Sequence, residues 1–206
     1  MLTGKQLKIF EVFAKKPFVE YSRKEIKKES KEKSNNTLAL VINLLKKEEV
    51  LIEQKVGKSG LLTLNLNNDL TFYYIALSNN KRINHLVKLA LEKLKKEITE
   101  ITPFYSIIIF GSYAIAEQKK NSDLDVAIFI ENEEKRKQIE ASINSAKLRS
   151  ILEIDFHVIA KKEMLEMLEN KEENLGKQIA RKHLAIYNHR IFYEIIKEAM
   201  DHGFRV

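Results

Sequence analysis

Two short groups of residues in this chain have the types and spacing to do chemistry. Gly111-Ser112 closes an apolar run, and Asp123-Leu124-Asp125 follows after ten intervening residues. Glycine accepts backbone angles that other residues avoid, so Gly111-Ser112 reads as a tight turn with a hydroxyl attached. Residues 113–118 can begin a helix after it, and free N–H groups at a helix start are a seat for phosphate. Asp123 and Asp125, two residues apart on a strand, project to one face. Carboxylates about 4 Å apart repel by roughly 1 kcal/mol in water and about 4 kcal/mol near a protein surface, so such a pair invites a cation. A third candidate group is Glu153, Asp155 and His157, which alternate along Leu152-Glu153-Ile154-Asp155-Phe156-His157-Val158.

These side chains must be positioned by strands. Ile107-Ile108-Ile109-Phe110 is a continuous apolar run of strand type that stops at Gly111. Leu124, Val126, Ile128 and Ile130 alternate with Asp123, Asp125, Ala127 and Phe129, so one set is expected in a core and the other on the opposite face. Residues 152–158 alternate in the same way. Pairing that strand beside the second would bring Asp155 next to Asp123 and Asp125.

An apolar residue, Gly-Ser, about ten residues, Asp-x-Asp and a later strand aspartate resemble the nucleotidyltransferase superfamily typified by DNA polymerase β. Gly111-Ser112-Tyr113-Ala114 and Ser122-Asp123-Leu124-Asp125 most resemble its small prokaryotic minimal members. The resemblance covers residues 104–158 and implies transfer of a nucleoside monophosphate, AMP from ATP, with loss of pyrophosphate. It further implies that Asp123, Asp125 and Asp155 are catalytic residues and ligands of Mg²⁺ or Mn²⁺, with Asp155 helping to deprotonate the acceptor hydroxyl. Gly111 and Ser112 would bind the β- and γ-phosphates of the nucleotide. Relatives often carry Arg and Gly shortly after the turn, where this chain has Ile115 and Ala116; Lys119 or Lys120 could supply the charge. Some members modify a partner protein, so a protein acceptor is one expectation.

Composition sets the remaining bounds. The 206 residues are 44% hydrophobic and contain no cysteine, which excludes disulfides and thiolate metal sites. No apolar run has membrane-spanning length and residues 1–13 lack a signal-peptide pattern, so a soluble cytoplasmic protein without membrane contact is expected. The net charge of +7 is concentrated early: residues 1–68 hold 14 Lys and Arg against 8 Asp and Glu. That surplus suggests a polyanion partner, DNA or another nucleic acid.

The basic third has its own pattern. Leu2, Leu7, Ile9, Phe10 and Phe13 predict an amphipathic helix ending near Pro17. Ser22 with Glu25 fits a capping box opening a second helix to about Ser30, and a third starts near Ser34 or Asn35. Residues 50–56 and 61–66 read as strands joined by Gly57-Lys58-Ser59-Gly60. Three helices and a hairpin resemble a winged helix-turn-helix domain. The resemblance implies a third helix in the major groove with Asn35, Asn36 and Thr37 exposed to the nucleic acid, and Lys58 at the hairpin tip near phosphate. Lysines on helix faces also serve solubility, and winged helices also bind proteins.

The expected fold class is α+β: a winged helix domain at 1–68, a helical linker at 69–103 and a nucleotidyltransferase-fold mixed sheet with flanking helices at 104–206. Asn67-Asn68-Asp69 marks the expected domain boundary, and helix from 70 to 101 is expected to break near Ser78-Asn79-Asn80. Helices are predicted over 133–146, 162–168, 173–187 and 191–200, the last ones forming a C-terminal helical segment. Its Lys177, Arg181, Lys182 and His183 could reach nucleotide phosphates, but lysines on helices usually serve only as surface, and these are read so. A competing reading is a DNA-binding regulator whose transferase-like domain binds nucleotide without turnover.

Overall fold

The structure is a computed structural model and describes residues 2–57, 59–119, 122–131 and 133–205. Contacts divide the chain into two compact units, residues 1–79 and 80–206.

The first unit begins with α1 (Gly4–Lys15), β1 (Tyr21–Ser22), α2 (Arg23–Ser30) and α3 (Asn35–Lys47), followed by β2 (Leu51–Val56) and β3 (Ser59–Leu64). The Ser22 capping box forms: Ser22 Oγ accepts from Glu25 N, and the Glu25 carboxylate accepts from Ser22 N at 2.8 Å. Phe10, Phe13, Ile26, Ile42, Leu45 and Leu62 bury the apolar faces that helical and strand spacing gave them. The strands form an antiparallel sheet in the order β1-β3-β2. β1 was not expected; two residues are too few to show a period. The hairpin turn is shorter than expected, since β3 already starts at Ser59, and Gly57 takes φ +60° at its start. Lys58 lies outside the described residues.

Residues 67–69 do not end this unit. Asn68 Nδ2 donates to Glu48 O at 2.8 Å, Thr71 Oγ1 to Asn65 O at 2.8 Å and the Tyr74 hydroxyl to Glu48 at 3.0 Å. These bonds tie the start of α4 (Asp69–Arg82) to the end of α3 and the residue after β3, and the division falls later, after Asn79. The expected helical linker at 69–103 is two helices: α4, within which the division falls, and α5 (His85–Thr99), which belongs to the second unit. α4 also runs unbroken through Ser78-Asn79-Asn80, because Ser78 and Asn79 are buried in its packed face instead of opening a turn. The break comes at Asn84, whose side chain accepts from Val87 N at 2.9 Å and caps α5.

The second unit continues with β4 (Tyr105–Phe110), α6 (Gly111–Ala114), β5 (Leu124–Ile130), α7 (Arg136–Lys147), β6 (Ile154–Ala160) and α8 (Lys161–Glu169). α9 (Leu175–Arg181), β7 (His183–Tyr187) and α10 (His189–Asp201) complete it. Its mixed sheet has the order β6-β5-β4-β7, with β5 and β6 parallel and β4 antiparallel to both its neighbours. The α+β class with a mixed sheet and flanking helices stands. The helix expected over 173–187 does not: it ends at Arg181, and His183–Tyr187 becomes a fourth strand against β4. Lys177 and His183, read as surface, are buried.

Both faces of this sheet are covered. Ile107, Ile109, Val126, Ile128, Ile154 and Val158 pack with Val87, Leu91 and Leu94 of α5 and Ile139 and Ile143 of α7. On the other side Phe129 meets Phe192 of α10 at 5.2 Å between rings. Ala127 and Phe129 follow Asp125 on its own face and are fully buried, so the acids occupy only the end of an otherwise apolar face. Among the described residues no helix is long and apolar enough to cross a membrane.

Candidate active site

Because β4 runs antiparallel to β5, and β5 parallel to β6, the end of β4 and the starts of β5 and β6 lie at one edge of the sheet. Gly111-Ser112, Asp125 and Asp155 are brought to that edge by strand direction alone. Asp125 and Asp155 are direct partners in the β5–β6 register. Asp123 immediately precedes β5 and is exposed, as is Asp155, while Asp125 is half-buried.

The electrostatics follow from this crowding. Burial pushes the Asp125 carboxyl above the ordinary aspartate range, and the negative charges of Asp155 and Asp123 push it the same way. His157, one turn of the pleat beyond Asp155, opposes the rise. Its Nε2 stands 3.7 Å from Asp155 Oδ2, and its ring lies 5.9 Å from that of Phe110. His157 and Asp155 share a face as their spacing predicts, and Glu153 is exposed just before β6.

Gly111 fits this cluster for two separate reasons. Its φ of +63° belongs to the left-handed region, and a Cβ placed on it would lie 2.0 Å from Asp125 Oδ2. The Asp125 carboxylate therefore occupies the space a side chain would need. The helix expected over 113–118 is replaced by the four residues of α6, which closes at Ile115 before Ala116 turns left-handed at φ +60°. A helix this short offers little dipole, so any phosphate seat here depends on the turn itself.

The segment from turn to acids is held by local bonds. Glu117 N donates to Ser112 O at 3.0 Å, and Lys119 N to Ser122 Oγ at 2.8 Å. The Tyr113 hydroxyl reaches Ser122 O at 3.5 Å. Lys119 is exposed and Lys120 lies outside the described residues. A residue that the sequence did not single out, Arg82, donates from Nη2 to Ala114 O at 2.6 Å and so fastens the last carbonyl of α6. Nothing in the sequence near Arg82 marks it, since the partner is 32 positions away.

The donors present are hard carboxylate oxygens whose mutual repulsion a divalent cation would relieve, so the residue types fit Mg²⁺ or Mn²⁺. In this conformation, among the described residues, no three His, Asp or Glu side chains converge tightly enough to hold a metal ion. The backbone register brings Asp125 and Asp155 together as direct neighbours.

The remaining candidates belong to the first unit. Asn35 and Asn36 are exposed in the first turn of α3, Thr37 is half-buried and its N–H donates to the Ser34 cap at 3.2 Å. Asn35 Oδ1 accepts from Lys27 Nζ. Leu40, which sequence reasoning passed over, is exposed to 70% one turn beyond Asn36.

Residues 91–187 match the family described as "Nucleotidyltransferase domain". The matched segment includes Gly111, Ser112, Asp123, Asp125 and Asp155 and all four strands of the mixed sheet. Over 42 residues, 20% of this chain, there is 50% identity to "Putative protein adenylyltransferase MJ1215" of Methanocaldococcus jannaschii, of which 49% is covered. The chain thus spans about half the length of the curated relative it matches. No solved structure matches. The family match and the relative together support a nucleotidyltransferase.

Proposed function

We propose that the second unit transfers AMP from ATP to a hydroxyl of an acceptor protein, and that the first unit is a winged helix that recruits nucleic acid or a partner. The observation that carries the transferase reading is the register pairing of Asp125 with Asp155 beside a glycine whose missing side chain leaves room for the Asp125 carboxylate.

In the reaction, the acceptor oxygen forms a bond to the α-phosphorus while the bond from that phosphorus to the bridging oxygen breaks and pyrophosphate leaves. The proton of the hydroxyl passes to a carboxylate, the role of the exposed Asp155. Gly111 and Ser112 contribute backbone N–H groups and a hydroxyl to the outer phosphates. Asp123, Asp125 and Asp155 would hold Mg²⁺ or Mn²⁺, which when bound neutralises triphosphate charge and stabilises the leaving oxygen. Arg82 is a positioning residue that keeps α6, and so the turn, in place. The protein acceptor is favoured by the similarity to a protein described as a protein adenylyltransferase.

For the first unit, Asn36 and Leu40 on the exposed face of α3 with the surrounding lysines support nucleic-acid binding, with Asn35, Thr37 and Lys58 as further contacts. Incubation with α-labelled ATP, Mg²⁺ and cell extract tests the transferase reading: label should pass to protein and be lost in Asp125→Asn. Nucleotide binding without transfer to any acceptor would overturn it.

A further inference from the structure

β6 is an edge strand, bonded on one side only, to β5. Leu124 N donates to Glu153 O at 2.8 Å, which fixes the phase of this parallel ladder. Residues 153, 155, 157 and 159 then turn their backbone groups toward β5, and Phe156 and Val158 turn theirs outward. Ala160 agrees with this phase, since its N–H leaves the ladder to donate to Glu163 Oε2 at 2.8 Å. Glu163 is in turn held by Arg136.

Among the described residues, no further strand pairs with this outward edge. It lies in a cleft of about 730 Å³ between α7 on one face of the sheet and α8 on the other, and Phe156 and Val158 are among its walls. Glu140, Asn144 and Glu166 also line it. Among the described residues of its lining, Arg136 is the one Lys or Arg and is paired with Glu163, while Glu166 has only a distant partner in Lys162 at 3.9 Å. The lining is therefore acidic, in a chain of net charge +7. Asp155 stands between the outward-facing residues Ile154 and Phe156, at the start of the same strand.

We infer that the edge of β6 docks the acceptor as an added strand, and that the acceptor segment is extended, cationic and carries its hydroxyl on the face of Asp155. Backbone pairing to Phe156 and Val158 supplies affinity without regard to sequence, the acidic walls select for Lys and Arg, and alternate side chains fall on the Asp155 face. A basic segment also offsets the repulsion among the acids at the sheet edge. The inference rests on the transferase reading for its chemistry, but its docking geometry is measurable without turnover.

The full chain is mixed with a random Lys/Tyr copolymer or, separately, a Glu/Tyr copolymer, and backbone hydrogen exchange of residues 154–160 is followed. The Lys/Tyr polymer should slow exchange at Phe156 and Val158 and leave residues 155 and 157 unchanged; the Glu/Tyr polymer should not. With α-labelled ATP and Mg²⁺, Asn144→Trp fills the cleft without touching the ladder, and Val158→Pro removes an outward donor as edge strands tolerate. Each should lower labelling of the Lys/Tyr polymer about tenfold or more while pyrophosphate release to water is unchanged. Equal protection by both polymers, no protection, or undiminished labelling in Asn144→Trp overturns the docking site. Protection without any labelling leaves the docking site standing and overturns the transferase reading instead.

Discussion

A side chain at Gly111 would place its Cβ 2.0 Å from Oδ2 of Asp125, so the turn after β4 and the acid on β5 occupy mutually exclusive space. The turn motif and the acid motif are one structural unit although ten residues intervene between Ser112 and Asp123. Gly111→Ala should both strain the φ of +63° and displace the carboxylate. The backbone part alone costs about 1–2 kcal/mol. Thermal unfolding should show that loss, and nucleotide transfer should fall further than the stability change explains.

The charge cluster makes a pH prediction. The folded-state pKa of Asp125 is raised above its unfolded value, so protonated Asp125 favours folding and that contribution is lost as pH rises through the folded pKa. At neutral pH without divalent cations the ionised acid therefore destabilises the fold. Asp125→Asn should raise the melting temperature at pH 7 and give no gain in acid, where wild-type Asp125 is already neutral. Mg²⁺ should stabilise wild type and leave Asp125→Asn unmoved; equal stabilisation of both would separate the metal from this residue.

His183 and His189 act in the opposite direction. Burial holds each down to about 4, the Nδ1 of His183 lies against the Ile179 and Ala180 carbonyls, and its Nε2 meets the Tyr193 hydroxyl at 3.2 Å. Their folded values lie below the unfolded value near 6.5, so this stability is complete above that pH and is lost as pH falls toward 4. Urea midpoints measured across that window should fall steeply, and less steeply in His183→Gln.

Arg82 fastens α6 through Ala114 O. Arg82→Ala should cost about 1.5–3 kcal/mol, the range for a hydrogen bond to a charged group. If Arg82 positions the turn, KM for ATP should rise more than kcat falls, with partial rescue in Arg82→Lys; equal effects on both would reduce it to a stability role.

The first unit should bind duplex DNA with an affinity that drops as salt rises. Replacing Lys24, Lys27 and Lys28 by Gln should flatten the dependence of log K on log salt by roughly 0.9 for each phosphate that is no longer neutralised. An unchanged slope would remove those lysines from the interface.

The legibility of this chain follows how local each signal is. Strand alternation around Asp123, Asp125 and Asp155 is visible because polar residues interrupt an apolar period, and the parallel pairing of β5 with β6 then brings two of the acids together. The start of α2 is equally visible because a capping box is contained in four residues. β7 is not: five residues that follow a helix without a glycine or proline continue its apolar pattern, and only pairing with β4 makes them a strand. Ser78-Asn79 looks like a break but is buried in α4, since tertiary packing outweighs the turn preference of those residues. Arg82 and the cleft beside β6 depend on partners distant in sequence and leave no local trace.

If Asp125 and Asp155, paired across β5 and β6, carry out nucleotidyl transfer, both carboxylates are required for it. The most direct test is transfer of label from α-labelled ATP to protein, with Mg²⁺ present, by wild type and by Asp125→Asn and Asp155→Asn variants of confirmed fold. Labelled protein with wild type and at least a hundredfold loss, about 2.7 kcal/mol of transition-state stabilisation, in each variant is the expected result. Transfer that persists at the wild-type rate in either variant would contradict it.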